Sequence, residues 1–205
     1  MPTTYNTSFY DEIAESFHKT RHALWPGVVK FLTSIPKGSH ILDVGCGNGK
    51  YLDVRAHDCV VHACDKSINL VHVARKNHAH AHIIEADGLQ LPFKDGSYDA
   101  VMSVAVVHHL SPQDRVTFMN ELKRVLKPGG MLLVTVWAVS AVQQQWIPLE
   151  NKHDYLVPWQ SKLNRYYHVF SEEEARDLAA DAMDPKHVQV NFERDNWYVV
   201  VSQRK

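Results

Sequence analysis

Cysteine is scarce in this chain: Cys46, Cys59 and Cys64 are the only three among 205 residues. An odd number cannot pair completely, and these three lack metal-ligand spacing, so a reducing, cytoplasmic setting is expected. Long apolar runs are missing as well. No stretch reaches eighteen apolar residues, which argues against a membrane span. The opening Met1-Pro2-Thr3-Thr4-Tyr5-Asn6 has no charged start followed by an apolar stretch, so no secretory signal is expected. Nor is there a basic surplus: 22 Lys and Arg against 23 Asp and Glu leave a formal charge of −1. A protein that holds nucleic acid alone usually carries a clear excess, so such a role here needs a local patch or a helper subunit. Repeats and low-complexity tracts are absent.

What remains is an ordinary globular composition, 45% apolar and 22% charged, of a length that suits one domain with at most a small appendage. The 14 histidines raise a metal question. His78, His80 and His82 alternate, which on a strand puts them on one face. Without nearby cysteine or a helical His-Glu-x-x-His pattern they read as polar surface, and no metal site is expected.

Residues 9–34 show helical periodicity (Phe9, Ile13, Phe17, then Val28, Phe31, Leu32), with Pro26 opening a second helix. From residue 40 strands and helices alternate, which predicts parallel βαβ units. The strands fall at 40–44, 60–64, 82–85, 98–104 and 131–136, the helices near 49–56, 67–78 and 113–126. Lys127-Pro128-Gly129-Gly130 reads as a helix stop. Residues 140–164 look irregular. A helix over 171–182 starts at Ser171 with Glu174 completing a capping box, and Val188–Phe192 and Trp197–Ser202 read as a closing hairpin. The expected fold is α/β: a seven-stranded, mostly parallel, Rossmann-like sheet with its last strand antiparallel.

The most telling stretch is Ile41-Leu42-Asp43-Val44-Gly45-Cys46-Gly47-Asn48-Gly49-Lys50, a buried strand breaking into a turn with three alternating glycines. Glycine turns at positive φ and lets a ligand approach the backbone. A dinucleotide loop wants its third glycine where Lys50 stands. Asp43 would repel a pyrophosphate there and attract an ammonium or sulfonium. Asp65, at the end of the second strand, can bind ribose hydroxyls for either cofactor. Glu85-Ala86-Asp87-Gly88 follows the third strand, and Asp87 could do no more than start a turn. Leu91-Pro92-Phe93 and Ser97-Tyr98-Asp99-Ala100-Val101 continue in the same order. The loop and these elements together resemble class I S-adenosylmethionine-dependent methyltransferases. In the enzymes that this order of elements resembles, an acid at the place of Asp87 accepts from the adenine amino group instead.

A narrower resemblance rests on Tyr10-Asp11-Glu12-Ile13-Ala14, Thr20-Arg21, Trp25-Pro26, Ala105-Val106-Val107-His108-His109, Arg165-Tyr166-Tyr167-His168-Val169-Phe170 and Glu193-Arg194-Asp195-Asn196-Trp197-Tyr198. These segments are similar to those of the eukaryotic tRNA wobble-uridine carboxymethyl methyltransferases, a domain also found in an AlkB-type tRNA enzyme. The resemblance spans nearly the whole chain. It implies one methyltransferase domain over 1–205, with N-terminal helices 9–34, a donor-binding core 38–137, an irregular insertion 140–164 and a substrate-side helix and hairpin 165–205. It further implies methyl transfer from S-adenosyl-L-methionine to the carboxylate of carboxymethyluridine-34, with a small-molecule carboxyl or quinone methyltransferase as the alternative and a scaffold without catalysis as a third reading.

Cofactor contacts are expected at Arg21, Asp43, Gly45, Cys46, Gly47, Asp65, Lys66, Ala86, Asp87, Gly88 and Val104. Catalytic or acceptor contacts are expected at His108, His109, Arg165, Tyr167, His168, Arg194 and Asp195. A carboxylate, with a pKa roughly near 4, is already ionised and needs no general base. Either histidine could orient the acceptor or take a proton, or one could merely cap a turn. Tyr166, Tyr167, His168 and Trp197 could stack an extruded anticodon base, or the Tyr and Trp could serve as core. The basic patch would be Lys162, Arg165, Arg194, Arg204 and Lys205. The 140–164 segment is short for the family. The resemblance also implies two partners: a tRNA anticodon loop and a small zinc-binding activator protein. The activator is expected at the edge strand 82–85 and the helix carrying Val71 and Val73, where charges at Ile83 and Ile84 should abolish the complex.

Overall fold

A computed structural model describes residues 7–20, 23–159, 163–180 and 184–202. Helices α1 (Thr7–Thr20) and α2 (Pro26–Ser34) precede β1 (His40–Val44), β2 (Val60–Asp65), α3 (Ile68–Asn77), β3 (His82–Glu85), β4 (Tyr98–Val104), α4 (Pro112–Val125) and β5 (Leu126–Trp137). There follow β6 (Ile147–Pro148), β7 (Asp154–Trp159), β8 (Leu163–His168), α5 (Glu172–Ala180), β9 (Val188–Glu193) and β10 (Asn196–Val201). The main sheet runs β3-β2-β1-β4-β5-β10-β9, parallel from β3 to β5, with β10 antiparallel to both of its neighbours. This is the α/β sheet read from the sequence. Its central strands are buried on both faces, which is why β1, β4 and β5 show near-continuous apolar runs rather than alternation. Strand order reverses between β1 and β4, and the crevice beyond their carboxyl ends is where ligands of such sheets bind.

Three expectations need correction. The helix near 49–56 is only a 3-10 turn, Leu52–Val54. Gly49 takes φ +81, a left-handed geometry that interrupts a helix, and the remaining residues are too few to sustain one. The Lys-Pro-Gly-Gly stop lies inside β5 instead: α4 ends at Val125 with Leu126 already extended (ψ 134). The glycines serve a bulge, since Tyr98 and Ala100 pair with Leu126 and Met131. The described residues of the 140–164 segment are not irregular throughout. They hold β6 and β7, which with β8 form a separate antiparallel three-stranded sheet. Its alternation was obscured by Pro148 and Pro158.

The closing helix starts as expected. Ser171 Oγ accepts from Glu174 N at 3.2 Å, and Glu174 Oε2 accepts from Ser171 N at 2.7 Å. His78, His80 and His82 do not share a strand face: His78 caps α3, His80 lies in the following turn and only His82 enters β3. Arg21, Lys162, Arg204 and Lys205 lie outside the described residues.

Candidate active site

Parallel pairing of β1 with β2 and β4 lifts Asp43 to the crest of the sheet and ends β2 at Asp65 beside it. The glycine turn between them is held by backbone bonds. Gly45 N and Cys46 N donate to Cys64 O at 2.8 and 3.0 Å. Gly47 N donates to Asp65 Oδ2 at 2.8 Å, and Ser67 N to Asp65 Oδ1 at 2.9 Å. At Gly45 (φ +77) a Cβ would come within 2.3 Å of Val106 Cγ2, so only glycine fits.

Both carboxyls are almost fully buried. Burial raises that of Asp43 to about 7, with the neighbouring Asp65 adding to the rise and Lys50 opposing it. Burial raises Asp65 to about 6 against the bonds from Ser67 and Gly47. Asp43 Oδ1 has no hydrogen-bond partner among the described residues. A buried carboxyl left this way in a cleft suits a cationic group.

The cleft above these acids has a volume of about 180 Å³. Of the expected cofactor positions, Asp43, Gly45, Cys46, Gly47, Asp65 and Val104 line it. Lys66, Ala86, Asp87 and Gly88 line an adjoining slot of about 80 Å³ that shares Gly45 and Val106 with the cleft. There Lys66 Nζ sits 2.7 Å from Asp87 Oδ2, Asp87 Oδ1 accepts from Leu89 N at 3.0 Å, and the ring of Phe118 lies where a Gly88 side chain would stand. This slot can hold a flat ring whose edge carries an N–H that donates to the Asp87 carboxylate. The glycine cradle, the orphaned Asp43 oxygen and the slot together fit an adenosyl sulfonium.

The opposite wall is built from distant segments. β4 gives way to Ala105, a non-glycine residue at φ 61 held by a 2.9 Å bond from its N–H to Thr135 Oγ1, and the 3-10 turn Val107–His109 follows. His108 is buried and stacks on Tyr167, centroids 4.7 Å apart. His109 Nδ1 lies 3.1 Å from Tyr166 O, and its Nε2 lies 2.6 Å from the Tyr10 hydroxyl. A carbonyl only accepts, so Nδ1 carries the proton and Nε2 accepts from Tyr10. Burial, then the charge of Arg165, lowers His109 to about 3, and burial holds His108 well below the usual histidine range. Both rings are neutral at pH 7.

Arg165 reaches the cleft from β8, its guanidinium 4.7, 5.0 and 5.7 Å from the ring centres of Trp159, Tyr167 and Phe9. Its Nε is buried without a hydrogen-bond partner among the described residues. The strand explains a division within Arg-Tyr-Tyr-His. Side chains alternate, so Arg165 and Tyr167 face the cleft while Tyr166 and His168 face away.

His168 is thus not part of the cleft. Its Nδ1 lies 2.6 Å from Asp154 Oδ1, which also accepts from the Tyr166 hydroxyl at 2.8 Å, and Arg115 Nη2 donates to that hydroxyl at 3.0 Å. Arg194 and Asp195 do not line it either. They form the β9–β10 turn at φ 50 and 58. The Arg194 side chain is exposed, while Asp195 accepts from Ser140 Oγ at 2.9 Å and, through its carbonyl, from Ala138 N at 2.9 Å.

Tyr10, Trp25, Lys50, Tyr51 and Trp137 also line the cleft and were not expected there. Lys50, noted for occupying a glycine position, lies 4.7 Å from the ring centres of both Trp25 and Tyr51. Tyr10 sits in a helix whose periodicity marks Phe9 and Ile13 as core and gives no sign of the hydroxyl's role. Asp11, next to it, accepts from Ser67 Oγ at 2.5 Å and Asn69 N at 3.2 Å, fastening α1 over the donor side.

Residues 42–134 match a family described as "Methyltransferase domain". The chain is 43% identical over 148 residues to the Xenopus tropicalis tRNA (carboxymethyluridine(34)-5-O)-methyltransferase alkbh8, covering 72% of this chain and 22% of that protein. It is 32% identical over 219 residues to the Schizosaccharomyces pombe tRNA (carboxymethyluridine(34)-5-O)-methyltransferase, covering 95% of this chain and 94% of that one. The chain therefore spans about a fifth of the first of these relatives and nearly all of the second. Among solved structures, the complex between the Haloferax volcanii Trm112 methyltransferase activator and a putative methyltransferase shares the fold. Its TM-score is 0.70 at 20% identity, over 96% of this chain and 98% of that one.

Proposed function

Since this chain belongs to the tRNA (carboxymethyluridine(34)-5-O)-methyltransferase family, we propose that it esterifies the carboxylate of 5-carboxymethyluridine at position 34 of tRNA, using S-adenosyl-L-methionine. One observation carries the reading: a single cleft joins two buried acids, Asp43 and Asp65, to a cation, Arg165, set among aromatic rings. When bound, the donor supplies an electrophilic methyl group on a sulfonium.

The chain's residues do the rest by placement. Asp43 and Asp65 favour the positive charge and so hold the donor at the β1 and β2 ends. Arg165 contacts one oxygen of the acceptor carboxylate from the other wall. A clamp on both oxygens would lower their nucleophilicity, and the orphaned Nε leaves room for a one-sided contact. Tyr167, His108 and Trp137 offer ring faces for the base. The acceptor is ionised before it arrives, so no general base is required, and neutral His108 and His109 do not compete as acids. Burial of the cleft removes water from the anion, whose charge is neutralised as the ester forms.

Two partners belong to this proposal: the tRNA anticodon loop, and an activator protein, here taken to be small and zinc-binding; the Haloferax volcanii complex supports an activator in that it pairs a putative methyltransferase with a Trm112 methyltransferase activator. The activator is assigned to the β3 edge. That edge is the outer strand of the sheet, but Arg75 Nε and Nη2 cap it by donating to Ile83 O at 2.9 and 2.7 Å. Strand addition requires this fork to swing away. Ile83 is itself core, so a charge there would unfold the sheet rather than test docking, and half-buried Ile84 is the informative site. The three free thiols support a cytoplasmic location, which is likewise a proposal.

The test is transfer of labelled methyl to tRNA bearing carboxymethyluridine-34, with and without activator. Base-labile label at that nucleotide is expected. Label on a small carboxylic acid with none on tRNA would overturn the substrate assignment.

A further inference from the structure

Beside the glycine turn and outside the lining of the cleft, Asp53, His78 and His80 meet from two separate turns, and we propose that they form a binding site for a divalent cation of the zinc type. Asp53 lies in the Leu52–Val54 turn, which is tied to the glycine turn by the bond from Leu52 N to Gly49 O at 2.9 Å. His78 and His80 lie in the turn after α3, closed by Ala81 N donating to His78 O at 3.0 Å. Both anchors are backbone bonds, so the three side chains are brought together by fixed turns rather than by a mobile loop.

The spacing is that of a coordination sphere. His78 Nδ1 lies 2.9 Å and His80 Nε2 lies 3.1 Å from Asp53 Oδ1, and one ligand atom from each residue lies within 4.8 Å of the others. Ligands about 2.0–2.1 Å from a tetrahedral zinc stand about 3.3 Å apart, so the cation can enter with small displacements. Two imidazoles and one carboxylate suit zinc and the neighbouring transition metals over magnesium or calcium. At present both rings face a single carboxylate oxygen, an arrangement in which a dication would replace the shared protons.

Exposure sets the chemistry further. The His78 side chain is only 11% exposed, while those of His80 and Asp53 are 48% and 64% exposed. The inner ligand is fixed and the outer face remains open to water as a fourth ligand. None of the three lines the cleft, so the site is structural. His78 Cδ2 would lie 2.7 Å from a Cβ at Gly49. The cation would therefore pin the imidazole that backs the donor turn and tie α3 to β1's loop.

The 205-residue chain, stripped with EDTA, is titrated with Zn²⁺ by calorimetry and with Co²⁺ by visible absorption. One Zn²⁺ per chain, a Co²⁺ d–d band and a Zn²⁺-dependent rise in Tm are expected. His80→Ala, at an exposed position, should keep the circular dichroism spectrum and weaken Zn²⁺ by at least the 10–100-fold typical of outer-sphere changes; Asp53→Asn should do the same. Equal affinity in wild type and His80→Ala, or no Zn²⁺ uptake at large molar excess, would overturn the site.

Discussion

The two ends of the cleft respond to the same burial in opposite ways. At the donor end desolvation raises acids, Asp43 to about 7 and Asp65 to about 6. At the acceptor end it lowers bases, His109 to about 3 and His108 well below its usual range. Burial penalises whichever form is charged, so both ends drift towards neutrality. A cation arriving at one end and an anion at the other reverse that drift. The ends are also built differently. Asp65 fastens the donor end through two backbone N–H groups within a short stretch of chain. The acceptor end gathers α1, the 107–109 turn, β5 and β8, joined chiefly by side chains. Damage at the first should spread into the fold, whereas damage at the second should stay local.

The strongest way to break that contrast is Asp65→Ala. It strands the N–H groups of Gly47 and Ser67, each costing about 1–3 kcal/mol when buried unsatisfied. For a chain this size the sum lowers Tm by on the order of 10 °C, and donor affinity should fall by more than 100-fold. Calorimetric donor titration beside a thermal melt tests both, and a variant that loses donor binding with Tm unchanged would show the turn stands without its anchor. Arg165→Met attacks the other end. Losing one charge-assisted contact, about 1.5–3 kcal/mol, should lower kcat/KM for tRNA by roughly 10–150-fold. The donor Kd should stay within a factor of about two, because Arg165 faces the opposite wall. An equal loss of donor affinity would mean the two ends are one site.

pH offers an intermediate test in which binding and stability move in opposite directions. Asp43 and Asp65 have folded pKa values raised above the unfolded carboxyl value. The ligand-free fold therefore binds more protons than the unfolded chain, and their contribution to stability is full below about pH 4 and lost as pH rises through 6 and 7. Each group contributes up to about 1.4 kcal/mol per pH unit. A cationic donor prefers the ionised acids, so its affinity should rise over the same window, by up to about tenfold per unit for each acid. Asp43→Asn should flatten both profiles above pH 6. Donor affinity indifferent to pH between 5 and 7.5 would remove the electrostatic basis of the donor end.

The same asymmetry governs what could be read from the sequence. Asp43, Gly45, Gly47 and Asp65 are close along the chain, and each is set by a local rule: a strand end, a positive φ or a close backbone approach. The donor end was legible on those rules. Tyr10, Trp25 and Trp137 reach the cleft only through tertiary contacts, and helical or strand periodicity labels such residues core. The Arg-Tyr-Tyr-His segment was recognised as a motif but not as a strand, so all of Arg165, Tyr167 and His168 were expected at the site. Period two sends His168 to Asp154 instead. Arg194 and Asp195 formed a recognisable segment whose visible role is a left-handed hairpin turn, and nothing in a residue string separates a turn that shapes a rim from one that touches a ligand.

The finest probe uses two adjacent residues of α1. Tyr10 bonds His109 on the acceptor wall, while Asp11 bonds Ser67 and Asn69 on the donor side. Tyr10→Phe removes one hydroxyl and leaves the His109 Nε2 without its donor, a change of about 1 kcal/mol, or about fivefold in rate. That loss should fall on kcat/KM for tRNA and spare donor affinity. Asp11→Ala should do the reverse, weakening donor binding by a similar factor with less effect on the tRNA step once donor is saturating. Steady-state kinetics at saturating donor, paired with donor titrations, separate the two. If each variant moves both quantities equally, α1 closes as a rigid lid and the two ends are coupled through it. If the effects split, a single helical turn serves two independent contacts, and the boundary between donor and acceptor ends runs between residues 10 and 11.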